Sequence, residues 1–161
     1  MIKPPKVTTC LWFDTQGEEA ATLYTSLIDN SRITNISRYG AGGHMPEGLA
    51  MLVAFELDGV GFSALNGGPI YQLSPAASLS VGCDTQDEID RLWSALTAGG
   101  GVEIQCGWLT DRFGLSWQIV PNILPALLTD PDAAAAGRTM AAMMPMKKLD
   151  LAALLAAHRG Q

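Results

Sequence analysis

Asp14-Thr-Gln-Gly-Glu-Glu-Ala-Ala-Thr-Leu-Tyr-Thr-Ser-Leu27 returns as Asp84-Thr-Gln-Asp-Glu-Ile-Asp-Arg-Leu-Trp-Ser-Ala-Leu96. The Asp-Thr-Gln tripeptides lie 70 positions apart. Once Gly17 drops out, Glu19 matches Glu88, Leu23 matches Leu92, Tyr24 matches Trp93 and Leu27 matches Leu96. A strand-to-helix corner repeated at half-chain spacing predicts two copies of one module.

Working outward from the first corner, Val7 to Phe13 is β-rich and ends at Asp14, the expected N-cap. Glu18 and Glu19 fall in the first helical turn, where they complement the dipole. Ala20, Leu23, Tyr24 and Leu27 form an apolar stripe at helical spacing. Asn30-Ser31 ends that helix, and Arg32 to Tyr39 reads as a strand. Gly40 to Gly48 holds four glycines, His44 and Pro46; it reads as a loop without the Gly-Lys-Ser/Thr ending of a phosphate cradle. Asp58-Gly59 between Ala50–Leu57 and Val60–Leu65 is a hairpin signal. Asn66-Gly67-Gly68-Pro69 closes the module as a turn.

The second copy repeats the order with less material. Ala77 to Cys83 is its first strand, Asp84 its expected cap, and Gln86 to about Thr97 its helix, stopped by Gly99-Gly100-Gly101. Val102–Cys106 and Gly107–Thr110 read as short strands, Asp111–Gly114 as a turn and Leu115–Pro121 as the last strand. The expected class is α+β, with two βαβββ modules at about 7–69 and 77–121 in one domain over 1–122. A helical extension over 123–161 follows. It carries a Met-rich helix after Asp130-Pro131-Asp132 and a last helix over Leu151–His158 capped by Asp150. Its methionines read as packed core or dimer contact.

The chain has 161 residues, 48% of them apolar, and a net charge of −6. That acidity argues against nucleic acid or an anionic membrane as the main partner. No apolar run reaches the roughly 20 residues that span a bilayer. The opening Met-Ile-Lys-Pro-Pro-Lys lacks the apolar core of a secretory signal, so a cytoplasmic location is expected. Cys10, Cys83 and Cys106 form no Cys-x-x-Cys pair, which disfavours a disulfide framework or a thiolate zinc site.

Four segments carry a family resemblance. They are Cys10-Leu-Trp-Phe-Asp14, Ala64-Leu-Asn-Gly-Gly-Pro69, Gln105-Cys-Gly-Trp-Leu-Thr-Asp-Arg-Phe-Gly-Leu-Ser-Trp-Gln-Ile-Val-Pro121 and Met146-Lys-Lys-Leu-Asp150. With the duplicated module they resemble the vicinal oxygen chelate superfamily of glyoxalase, bleomycin-resistance proteins and dioxygenases. The branch they resemble is the PhnB-like one, labelled 3-demethylubiquinone-9 3-methyltransferase-like. The resemblance implies a curved cup built from both modules, and a homodimer. It also implies a divalent metal held by the first and last strands of each module. Carried over, the ligand positions are Val7, Leu65, Ala77 and Gln118. Three of these side chains cannot ligate a metal and Gln118 is neutral, so no metal and no other cofactor is expected. Gln118 also lacks the carboxyl that a glyoxalase-type proton transfer needs.

If those four positions face the cup, strand alternation adds Thr9, Leu11, Phe13, Ser63, Leu79, Val81 and Ser116, and turns Cys10, Trp12 and Trp117 towards the helices. Apolar walls with a few placed polar groups suit a small, partly apolar molecule. The expected ligand-binding residues are Thr9, Leu11, Phe13, Ser63, Leu65, Asn66, Trp108, Ser116 and Gln118. Three readings stay open. One is a binding protein; another is a metal-free lyase or isomerase using Gln118, Ser116 and a loop residue such as His44 or Glu47. The third is the methyltransferase of the family label, for which no glycine-rich corner of Rossmann type is present.

Overall fold

The computed structural model describes residues 6–161. It divides into two compact units, residues up to 73 and residues 74–161. Residues 123–161 lie within the second unit.

In the first unit, β1 (Thr9–Phe13) leads into α1 (Gly17–Leu27), followed by β2 (Arg32–Arg38), β3 (Ala50–Leu57) and β4 (Val60–Asn66). The strands lie in the order β1-β4-β3-β2, with β1 and β4 parallel and the other pairs antiparallel. Asp58 and Gly59 take positive φ at 45° and 75°, as the two-residue β3–β4 hairpin requires. One face of the sheet packs on α1. There Tyr24 lies 6.5 Å from the Phe55 ring, and Ala20, Ala21, Val53 and Ala64 are fully buried.

The second unit repeats this plan. It comprises β5 (Ser78–Cys83), α2 (Gln86–Thr97), β6 (Val102–Glu103), β7 (Trp108–Thr110) and β8 (Ser116–Pro121), in the order β5-β8-β7-β6. Strands β5 and β8 are parallel, like β1 and β4. Ile89, Leu92, Trp93 and Leu96 of α2 are buried together with Leu109, Trp117 and Ile119 of the sheet. The expected α+β class and the duplicated βαβββ order are both present.

Three helices complete the unit: α3 (Leu124–Leu128), α4 (Ala133–Met143) and α5 (Leu151–Arg159). Asp132 caps α4 by accepting from Ala134 N and Ala135 N, and Asp150 caps α5 by accepting from Ala153 N. The five-residue α3 carries no capping side chain and no sequence signal beyond Pro125. Leu124, Met143, Leu149 and Leu154 form a buried cluster against which Cys106, Val120, Leu128 and Met146 pack.

Several expectations are corrected. Neither repeated aspartate is a helix cap. Gln16 occupies that position for α1 without a capping side-chain bond, and Thr85 caps α2 by accepting from Glu88 N at 3.2 Å. Glu88 in turn accepts from Asp84 N at 3.0 Å, a reciprocal arrangement close to a capping box. Strand β6 stops at Glu103, so Cys106 lies in a turn with φ of 60°.

Candidate functional site

Each sheet has one helix-covered face and one face turned away from its helix. Register decides which residues share a face, because a slip of one reverses every side chain. In the first unit Cys10 pairs with Ser63, Leu11 with Ala64, Trp12 with Leu65 and Phe13 with Asn66. Ala64 and Asn66 face α1, since a Cβ at Gly17 of that helix would meet Asn66 Oδ1 at 2.8 Å and Ala64 Cβ at 3.1 Å. Thr9, Leu11 and Phe13 therefore share the α1 side, and Leu11 and Phe13 are buried there. Cys10, Trp12, Ser63 and Leu65 share the opposite side.

This reverses the expected assignment of β1. The same reversal holds for β5, where Leu79 and Val81 pair with the buried Trp117 and Ile119. Trp117 does face the helix, as expected. The faces follow from the pairing of β1 with β4 and of β5 with β8, partners distant in sequence. The expected ligand-equivalent positions shift as well. Val7 precedes β1 and is 86% exposed, and Ala77 precedes β5. Cys10 pairs with Ser63, and Ser80, its counterpart in the repeat, pairs with Gln118; register thus makes Ser63 and not Leu65 the equivalent of Gln118.

Asn66 is the last residue of β4 and is 1% exposed. Its Oδ1 accepts from Gly17 N at 2.7 Å and its Nδ2 donates to Ala50 O at 2.9 Å. The amide thus ties the start of α1 to β3, and its backbone oxygen accepts from Tyr39 Oη at 2.6 Å. Trp12 is fixed by donation from Nε1 to Gly68 O at 2.9 Å and by an edge contact with Tyr71 at 5.0 Å. A Cβ at Gly67 would overlap the Trp12 indole, so that position needs glycine. His44, in the exposed loop between β2 and β3, lies edge-on to the Tyr39 ring at 5.3 Å, and Glu47 is exposed in the same loop.

The second unit gathers the more chemical face. Gln118 lies beside Ser80 on β5 and Trp108 on β7, while Ser116 lies beside Ser78 and Thr110. Gln118 Nε2 donates to Ser78 Oγ at 2.9 Å, which orients the amide and leaves Oε1 to accept from a further donor. Ser116 is fully buried, and its hydroxyl has no hydrogen-bond partner among the described residues. A buried hydroxyl without a partner costs about 1–3 kcal/mol. Gln118, taken from the family resemblance, and Ser116, taken from alternation, share this face; Ser78 lies on it too, although the expected phase of β5 turns it away.

The superfamily metal does not fit these donors. Ser78, Ser80, Ser116 and Gln118 offer neutral oxygens, and hard divalent cations need carboxylates among their ligands. No group of three or more His, Cys, Asp or Glu residues is placed to hold a metal among the described residues. Cys83 lies at the helix-side end of β5, where burial, the largest cause, and the nearby Glu88 carboxylate push its thiol up to about 12. It lines a groove of about 250 Å³ with Asp84, Pro121, Asn122, Ile123, Leu151 and Leu155. No helix is long and apolar enough to cross a membrane among the described residues.

Comparison with known proteins gives a consistent picture. The family model described as 3-demethylubiquinone-9 3-methyltransferase matches residues 5–120. A PhnB protein from Bacillus cereus, whose structure is described under the same methyltransferase name, is 36% identical. It superposes with a TM-score of 0.67 over 72% of this chain and 99% of its own. Protein PA1353 from Pseudomonas aeruginosa is 20% identical with a TM-score of 0.59, covering 73% of this chain and 98% of its own. The fosfomycin resistance protein FosX from Listeria monocytogenes shares the fold at 14% identity and a TM-score of 0.54, over 78% of this chain and 97% of its own. No curated protein matches the chain.

Proposed function

Given that this chain belongs to the 3-demethylubiquinone-9 3-methyltransferase family, in the PhnB-like branch of the vicinal oxygen chelate superfamily, we propose that it binds a small, partly apolar molecule without a protein-bound metal. The binding surface in this reading is the sheet face of the second unit that carries Trp108, Ser116 and Gln118. The observation that supports it is the buried, unpartnered Ser116 hydroxyl beside a Gln118 amide already oriented by Ser78. Trp108 supplies an aromatic wall, and Gln118 Oε1 and Ser116 Oγ supply an acceptor and a donor, which suits a ligand with one polar end. Ser63 and Leu65 offer a more apolar counterpart on the first sheet.

Native mass spectrometry of the purified protein is the test. A co-purifying small molecule that Gln118→Leu and Ser116→Ala each release supports the reading; retention in both variants rejects it. Ser78, Ser80, Ser116 and Gln118 carry no carboxyl or imidazole, so a lyase or isomerase reading rests on His44 or Glu47 in the β2–β3 loop. The methyl-transfer reading is addressed by calorimetry with S-adenosylmethionine, where micromolar binding would replace the present proposal. The homodimer implied by the family and the cytoplasmic location expected from the sequence are addressed by light scattering and by cell fractionation.

A further inference from the structure

Two sulfurs meet where α4 ends. Cys106 Sγ lies 4.0 Å from Met144 Sδ, and Met143 and Met146 pack at the same cluster. Cys106 is half-buried and Met144 is 54% exposed, so the pair is open to solvent on one side. The backbone fixes this approach. Cys106 N donates to Met146 O and Gly107 N to Lys147 O, both at 2.8 Å, which lays the Cys106 turn against the segment after α4. Cys106 holds a φ of 60°, and Gly107, with φ of 81°, has no room for a Cβ beside Ile119 O and Leu149. The thiol itself has only long contacts, at 3.9 Å to Met143 O and to Met144 O.

We propose that Cys106 and Met144, with Met146 as third ligand, form a site for a soft monovalent metal ion, Cu(I). A thiolate with thioethers, and no imidazole or carboxylate, is a donor set that selects Cu(I) over zinc or harder cations. Metal–sulfur bonds of about 2.3 Å, the length of a metal–thiolate bond, subtend roughly 120° across the observed separation, the angle of a trigonal site. Methionine side chains are flexible enough for Met146 to bring its sulfur in by rotamer change. Binding replaces the Cys106 S–H bond by an S–Cu bond and releases one proton to solvent, with no change of oxidation state. This site stands apart from the Gln118 face and does not rest on the reading given for it.

The test is competition for Cu(I) against bicinchoninate under anaerobic conditions, using the full chain. One Cu(I) per chain is expected, with at least tenfold weaker binding in Cys106→Ser and in Met144→Leu. Cys10→Ser and Met51→Leu, which change an exposed thiol and an exposed thioether elsewhere, should leave binding unchanged. X-ray absorption should count more than one sulfur neighbour. Failure to take Cu(I) from the chelator overturns the proposal, as does binding that Cys10→Ser abolishes. Met144→Leu removes an exposed thioether and keeps the bulk, so undiminished binding in that variant overturns the site even if Cys106→Ser does not fold.

Discussion

Asn66 Oδ1 accepts from the backbone N–H of Gly17 at 2.7 Å, so the last residue of β4 satisfies a donor at the start of α1. The same amide donates to Ala50 O. One side chain thereby ties a helix terminus, a central strand and its neighbour. Asn66→Ala leaves a buried donor and a buried acceptor unpaired and should destabilise the protein by about 1–3 kcal/mol for each. Asn66→Asp keeps the bond to Gly17 but sets a carboxylate against Ala50 O, and should be worse at neutral pH. Urea unfolding of both variants checks the order.

Asp111 has the corresponding weight in the second unit. It is 3% exposed, accepts from Phe113 N and Leu115 N through Oδ1, and accepts from Trp117 Nε1 through Oδ2 at 2.9 Å. Asp111→Ala should cost roughly 2–6 kcal/mol for unpairing the two buried donors, Leu115 N and Trp117 Nε1. The Trp117 emission should shift to the red before global unfolding. An unshifted spectrum at unchanged stability contradicts this role.

Ser116→Ala should behave oppositely. Removing a buried hydroxyl that has no partner should leave stability unchanged or raise it by about 1 kcal/mol, while weakening retention of any bound molecule. A large loss of stability would mean that the hydroxyl already serves the fold.

The three thiols should separate by reactivity. Cys83 is 1% exposed and its raised value keeps it a neutral thiol at pH 8, whereas Cys10 is exposed and Cys106 half-buried. Labelling the native protein with a maleimide at pH 8 should modify Cys10 and Cys106 quickly and Cys83 only after denaturation.

Acid should remove one tie between the tail and α2. The Lys148 ammonium, at 2.7 Å, and Gln86 together hold the Asp90 carboxyl below its ordinary range. Because the folded value lies below the unfolded one, this stabilisation is complete above the unfolded carboxylate pKa of about 4. It is lost as pH falls through the folded value. The pair is exposed and salt-screened, so the effect is small. Melting curves of the wild type and Lys148→Met should converge between pH 6 and pH 3.

The strand and helix order was legible in the sequence because the Asp-Thr-Gln repeat and the Asp58-Gly59 hairpin report on the backbone directly. The caps were not. Asp14 and Asp84 have the right chemistry, but Gln16 and Thr85 hold the position. The faces of β1 and β5 are set by their pairing with β4 and β8, which lie far away in sequence. Gln118, carried over from the family resemblance, and Ser116, two residues before it, share one face of β8. The role of Asn66 was hidden because its partners, Gly17 and Ala50, are distant in sequence. The sulfur cluster was hidden for the same reason: Cys106 and Met144 meet only through backbone bonds across the fold.

The tail is sewn into the second unit at Cys106, Gly107 and Gln86, which also holds Leu149 O and Leu151 N. During synthesis, residues 6–73 would have every strand and helix of their unit in hand while the rest is still being made. The other half must wait, since β6 and β7 are only two and three residues long and its last clamp arrives with Leu149 to Leu154. A premature stop near residue 122 would therefore spare one half of the molecule and leave its sibling a sticky, protease-prone remnant.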